Sequence, residues 1–320
     1  MEYRASKEVC EMAVIIVTLI TLVLLWFTAG MVVAYFGSNR NGNMDKILGE
    51  NEPAGEILQT VGRLRRKTPE LVSEEYEITS RDGIRLHGYL IRAKKPSDVY
   101  VFFSHGYRSP DGGMEFGALL PMWKGHDYNF FFVDHRGHGK SGGTHISFGQ
   151  YESEDNMEWL DFLLKTFGVN IQIILEGQSM GAATVLLMSG KKLPEQVKFI
   201  ITVCGYTNYF DIALHALQFP GNRIVLEAAD LYLTLRYGIN MKKPNPHNAV
   251  QQAQKPILFT HGEKDPLVSV EMGKKNFEAC ASEKKLYIFP DGEHCTAPIQ
   301  HSEEYAAVVD EYIGKYLDRA

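Results

Sequence analysis

The chain is poor in cysteine. Cys10, Cys204, Cys280 and Cys295 are its only four, and no two form C-x-x-C. Such spacing gives neither a zinc pattern nor a disulfide framework. Three cysteines in the main body suit a reduced interior; a Cys280–Cys295 bridge is the one pairing left open. An excess of basic residues is also missing. The formal net charge is −6, which argues against general nucleic-acid binding. No dinucleotide-binding fingerprint, with its strand, glycine turn and helix, and no Walker loop is present. No His/Asp/Glu cluster has metal-ligand spacing. These absences point to a reaction without cofactor or metal. Internal repeats and low-complexity tracts are absent too.

What is present begins with an apolar run. Met12 to Phe36 carries no charged residue. As a helix at ~1.5 Å per residue it would span ~37 Å, enough for a hydrocarbon core of ~30 Å. A secretory signal has a shorter apolar region, and Thr28-Ala29-Gly30 is only a weak cleavage candidate. The preferred reading is an uncleaved single-pass anchor over 1–37, with a cleaved signal as the lesser one. Trp26, Phe27, Tyr35 and Phe36 suit the far interface. Arg4 and Lys7 before the span nearly balance Arg40 and Lys46 after it. The expectation is the amino end inside and the main domain outside. Residues 38–73 read as a linker with some helix. Its Arg63, Arg65, Arg66, Lys67 cluster reads as a solvated face before it reads as a lipid contact.

From residue 74 to 320 one sizeable domain is expected. Asp82-Gly83 between two alternating segments predicts a hairpin over 76–91. Apolar runs at 99–103, 130–133, 171–175, 197–203, 256–260 and 285–289 read as strands. Those at 99–103 and 130–133 have the character of strands buried on both faces. Helical patterns fall between them, at 116–123, 154–167, 182–188, 269–281 and 303–317. Strands alternating with helices predict an α/β fold with a mostly parallel sheet covered on both faces. Working residues then gather at the carboxyl ends of the strands. Residues 207–254 are too long for an ordinary connection and read as a helical cap inserted after the sixth strand.

One stretch organises the chemistry. A strand ends in Gly177-Gln178-Ser179-Met180-Gly181, and a helix follows at once. This is G-x-S-x-G in its required setting. A tight turn lifts the serine hydroxyl off the sheet, and glycines let strand and helix approach. A serine hydroxyl needs a base, and His294 follows the last strand. Asp265 follows the strand before it and would orient the imidazole. Cys295 beside the base reads as incidental, and Asp134, His135 and His138 as loop-shaping.

Ser104-His105-Gly106-Tyr107, Asp134 to Ser141, Gly177 to Gly181, Cys204 to Thr207, His261 to Asp265 and Gly292-Glu293-His294 together resemble the α/β-hydrolase family. The resemblance runs from about residue 72 to the end. It is to the serine esterase and aminopeptidase-like (S33-type) branch, and in particular to membrane-anchored, uncharacterised α/β-hydrolases of Gram-positive bacteria. It implies Ser179 as nucleophile, His294 as base, Asp265 as orienting acid, and the backbone amides of Tyr107 and Met180 as oxyanion hole. The expected activity is carboxylic ester hydrolysis on a small-molecule acyl ester. Thioesterase, aminopeptidase and acyltransferase are the alternatives, and Asp211, Glu227 and Asp230 are available for an amine-binding site. A non-catalytic binding protein is the reading from another class. Beyond substrate and membrane, no nucleic-acid partner and no obligate protein partner is expected.

Overall fold

The computed structural model describes residues 2–42, 56–109, 112–243 and 245–318. Part of the expected linker, 43–55, lies outside the described residues. The longer helices are α1 (Glu2–Ser38), α2 (Glu56–Leu71), α3 (Gln150–Phe167), α4 (Met180–Ser189), α5 (Tyr209–Ala216), α6 (Asn222–Tyr237), α7 (Val270–Ala279) and α8 (Ser302–Tyr316). The strands are β1 (Glu74–Thr79), β2 (Arg85–Ile91), β3 (Val99–Ser104), β4 (Asn129–Asp134), β5 (Gln172–Gln178), β6 (Val197–Val203), β7 (Ile257–Gly262) and β8 (Lys284–Phe289).

They form one eight-stranded sheet in the order β1-β2-β4-β3-β5-β6-β7-β8. The β1–β2 and β2–β4 pairs are antiparallel, and every later pair is parallel. Side chains on β3 alternate with period two. Tyr100 and Phe102 join a core with Trp159, Leu163 and Leu186 on one face. Val101 and Phe103 join Phe289, Tyr305 and Val309 on the other. At roughly 25 cal/mol per Å² these apolar faces are the main stabilising term. Cys280 belongs to the first face and Cys295 packs on the second, so the pairing left open above is not made; all four cysteines are free.

Helix boundaries differ from the sequence reading where local chemistry intervenes. α3 starts at Gln150 because Glu152 reaches back to accept from the amides of Ser147 and Gly149 at 2.7 and 2.9 Å. The helix expected at 116–123 is instead two 3₁₀ turns, Gly112–Ala118 and Leu120–Trp123. Gly113 and Gly117 there allow close approach to the carbonyl of Val133 and to Thr68 of α2, and Pro121 opens the second turn.

The cap follows β6, with α5 and α6 as its main helices. α1 does not end clear of the domain. Residues 10–25 are exposed, but from Trp26 onward the helix lies on α6. The Trp26 indole donates to the carbonyl of Ile224 at 2.7 Å, and Phe27 meets Tyr232 edge-on at 5.9 Å. A Cβ on Gly30 would come within 2.4 Å of the Ala228 Cβ, so the two helices approach as closely as glycine permits.

Candidate active site

β5 ends at Gln178, and α4 begins two residues later. Ser179 between them has φ +51° and ψ −114°, a conformation non-glycine residues rarely adopt. Neighbouring backbone explains both flanking glycines. A Cβ on Gly177 would sit 2.3 Å from the carbonyl oxygen of Gly181, and one on Gly181 would sit 1.9 Å from that of Ser104. The serine is therefore held over the carboxyl end of the sheet by contacts with no room for side chains.

His294 sits in the loop after β8. Its Nε2 is 3.0 Å from Ser179 Oγ, and its Nδ1 is 2.8 Å from Asp265 Oδ2. Asp265 lies after β7 with its carboxylate buried. Oδ1 accepts from the amides of Leu267 and Val268 at 2.9 and 2.8 Å, leaving Oδ2 for the imidazole. Burial works against the Asp265 charge, yet the hydrogen bond and charge of His294 outweigh it and hold the carboxyl below its ordinary range. Burial alone would lower His294; the bond to Asp265 raises it above the ordinary imidazole value. Nδ1 carries the proton toward Asp265, and Nε2 then accepts from the serine hydroxyl. The three side chains picked from strand ends far apart in the chain are thus brought together.

The His105-Gly106-Tyr107 turn lies beside them. A Cβ on Gly106 would stand 3.7 Å from Ser179 Cβ. Met180 opens α4, so its amide has no acceptor within the helix. Arg108, at φ +50°, is held by its amide, which donates to His138 Nε2 at 3.1 Å. Burial, aided by the nearby His105, pushes His138 down to about 3. It is neutral, and its Nδ1 donates to the Arg136 carbonyl at 3.0 Å. Burial likewise pushes His105 down to about 4, and its Nε2 accepts from the His135 amide at 3.0 Å. Asp134 accepts from the amides of Gly113 and Lys140 and from the Tyr89 hydroxyl. The sequence reading passed over Gly137, Gly139 and Gly142, which do have G-x-G-x-x-G spacing after β4; their loop wraps the Asp134 carboxylate and opens no helix, so the pattern is not a dinucleotide site.

Sequence reasoning missed the setting of Cys204. It follows β6 at φ +54°, is buried, and its sulfur accepts from the amide of Cys295, itself at φ +56°. The donor atoms of Cys204, His294 and Cys295 lie within 4.8 Å of one another, as do those of Cys204, His261 and Asp265. His294 and Asp265 in these groups are already committed to each other and to Ser179.

A cavity of about 170 Å³ opens at Ser179, lined among others by Ala34, Tyr107, Phe148, Leu233 and Val268. Among the described residues, no charged side chain lines it. Val33, Ala34, Gly37 and Ser38 of α1 contribute part of the wall, beside residues of α5 and α6. Sequence reading gave α1 no part in the site.

The structure aligns with the esterase Pf2001 of Pyrococcus furiosus at a TM-score of 0.60, covering 77% of this chain and 91% of that one at 22% identity. This chain has the α/β-hydrolase fold. Its residues 95–222 match the family described as serine aminopeptidase, S33. Two relatives are themselves uncharacterised. YqkD of Bacillus subtilis is 29% identical over 195 residues, 60% of this chain and 64% of that protein. YfhR of Escherichia coli K12 is 28% identical over 248 residues, 75% of this chain and 80% of that protein. The resemblance expected from the motifs, and the fold with its mostly parallel sheet and helical cap, are borne out.

Proposed function

We propose that this α/β-hydrolase is a membrane-anchored serine hydrolase that cleaves carboxylic esters through an acyl-enzyme. The observation that carries the reading is His294, bridging Ser179 Oγ and Asp265 at the mouth of an apolar cavity. Ser179 Oγ attacks the ester carbon while its proton passes to His294 Nε2. The amides of Tyr107 and Met180 stabilise the oxyanion. His294 returns the proton to the departing alcohol. It then takes one from water as that water attacks the acyl carbon, and returns it to Ser179 Oγ as the acyl–Oγ bond breaks and the acid leaves.

An aminopeptidase reading needs an acidic group to hold the substrate amine. Asp211 bonds Asn208, Glu227 pairs with Lys242, and Asp230 accepts from the Met241 amide; none lines the cavity. An apolar acyl group fits better. Thioesters and acyl transfer use the same acyl-enzyme and differ only in what enters and leaves.

Cys10–Ser38 is long and apolar enough to cross a membrane. Retention of this helix is supported by contacts that cleavage after Thr28-Ala29-Gly30 would remove: the Trp26 indole donates to the Ile224 carbonyl at 2.7 Å, and Phe27 meets Tyr232 edge-on at 5.9 Å. We place the catalytic domain on the outer side, as the sequence reading does.

The test is fluorophosphonate labelling of the full chain in detergent, wild type against Ser179→Ala, with hydrolysis of 4-nitrophenyl esters in parallel. Labelling and turnover that vanish together in the variant are expected. A folded wild type that takes no label overturns the reading.

A further inference from the structure

α1 must do two things at once. Its last charged residue before the apolar run is Glu11, so a hydrocarbon core begins near Met12. Met12 to Leu25 is exposed apart from the protein's own helix, but those fourteen residues span only ~21 Å of a ~30 Å core. The remaining ~9 Å has to come from turns that start at Trp26. Those are the turns on which α6 lies, through Trp26 with Ile224 and Gly30 with Ala228.

α6 therefore stands at the depth of the final turns of the span. Its surface fits that position. Ile224, Leu231 and Leu235 are 64%, 41% and 72% exposed, and at i, i+7 and i+11 they share one helix face. Met31, Val32 and Tyr35 of α1 are exposed as well, extending the apolar surface beside the seam. Polar partners are engaged elsewhere: Glu227 with Lys242, and Asp230 with the Met241 amide. Amphipathic helices seat their apolar face roughly 5–10 Å into a leaflet, the depth that the span length leaves for α6.

Behind this seam lies the cavity. Ala34 on α1 and Leu226, Ala229 and Leu233 on α6 line it together with Ser179. At about 170 Å³ the space is close to that of a cavity known to take benzene, roughly a six-carbon group. A longer chain outgrows this space and would extend past the α1 and α6 lining, toward lipid.

We propose that the cap is seated in the leaflet beside α1, and that the enzyme draws its acyl donor from the bilayer as a membrane-dissolved amphiphilic ester. This rests on the serine-hydrolase reading above. The anchor is then a wall of the acyl site as well as a tether.

The full chain is reconstituted in phosphatidylcholine–phosphatidylglycerol vesicles. Trp26 fluorescence is isolated by subtracting the Trp26→Phe variant, then quenched with lipids brominated along the acyl chain. Quenching is expected; an unquenched Trp26 means the cap stands clear of the bilayer and overturns the proposal. In parallel, hydrolysis of vesicle-dissolved 4-methylumbelliferyl octanoate is compared with water-soluble 4-nitrophenyl acetate. Leu231→Glu with Leu235→Glu should lower the octanoate rate at least tenfold and change the acetate rate less than threefold. Ala34→Phe should lower the octanoate-to-acetate ratio at least tenfold. Should that variant misfold, judged by lost fluorophosphonate labelling, Ala34→Val should shift the ratio the same way by a smaller factor. Unchanged ratios in labelled variants overturn the proposal alone. A wild type that takes no label overturns the hydrolase reading and this proposal with it.

Discussion

The phenolic hydroxyl of Tyr107 donates to the carbonyl oxygen of Gly37. One bond thus joins the loop beside Ser179 to the last turn of α1. Arg108 reinforces it from the next position, reaching the carbonyls of Phe36, Asn39 and Gly42. Deleting residues 1–42 removes every one of these acceptors and a wall of the cavity. A small displacement of catalytic groups costs about 10²-fold. The truncated protein is expected to lose about that much in kcat/KM while keeping its far-ultraviolet circular dichroism. Kinetics with 4-nitrophenyl acetate on both forms provides the check.

Asp265→Asn tests the orienting role. The asparagine oxygen can still accept from the Leu267 and Val268 amides, so the loop should survive. Its NH₂ group then faces His294 Nδ1 and forces the imidazole into the wrong tautomer. The expected loss in kcat is about 10⁴-fold. A melting temperature near that of the wild type separates this from misfolding.

The pH profile follows from the same pair. The imidazole works as a base only when neutral, so activity lies on the alkaline side of its titration. Asp265 raises His294 above its ordinary value of 6.5. The acid limb of kcat/KM is therefore expected to have its midpoint above 6.5 in the wild type. In Asp265→Asn the residual activity should show that limb at lower pH. Stopped-time assays across buffers of constant ionic strength would show it.

Much of this site was legible before any coordinates. The glycines round Ser179 and the order of serine, aspartate and histidine at strand ends were enough to pick the three side chains. The spatial role of α1 was not legible. An apolar run reads as a span whatever stands beside it, and Gly30 and Ala34 gain meaning only against Ala228 and the cavity. The 3₁₀ turns at 112–123 were missed because hydrophobic spacing there resembles a helix, while the deciding contacts come from Val133 and Thr68. Cys204 was missed for the same reason: its neighbour Cys295 is 91 residues away in the chain.

Gly181→Ala asks whether the elbow tolerates a methyl group. The added carbon would overlap the carbonyl of Ser104, which belongs to β3 and cannot retreat without disturbing the sheet. Overpacking of this kind typically costs about 1–3 kcal/mol. A fall in unfolding free energy of that size, with loss of labelling, is the expected result.

Glu176 offers a test away from the site. Burial raises its carboxyl to about 8; the Trp123 indole at 3.2 Å only partly offsets this, and Oε1 has no partner. The folded state holds a proton that the unfolded state has released, so stability should fall as pH rises from about 4.5 to about 8. Glu176→Gln should flatten that decline and show its largest gain in melting temperature near pH 8. Thermal scans of both proteins across that window decide it.

The insertion point of the cap, between two neighbouring parallel strands, looks like an invitation to swap modules. The close contact of Gly30 with Ala228 changes what the exchangeable unit is. A transplanted cap would arrive facing an anchor shaped for another helix, with a methyl group set against a glycine that no longer matches it. Chimeras made from this scaffold should therefore exchange the stretch from Trp26 to Gly42 together with the cap.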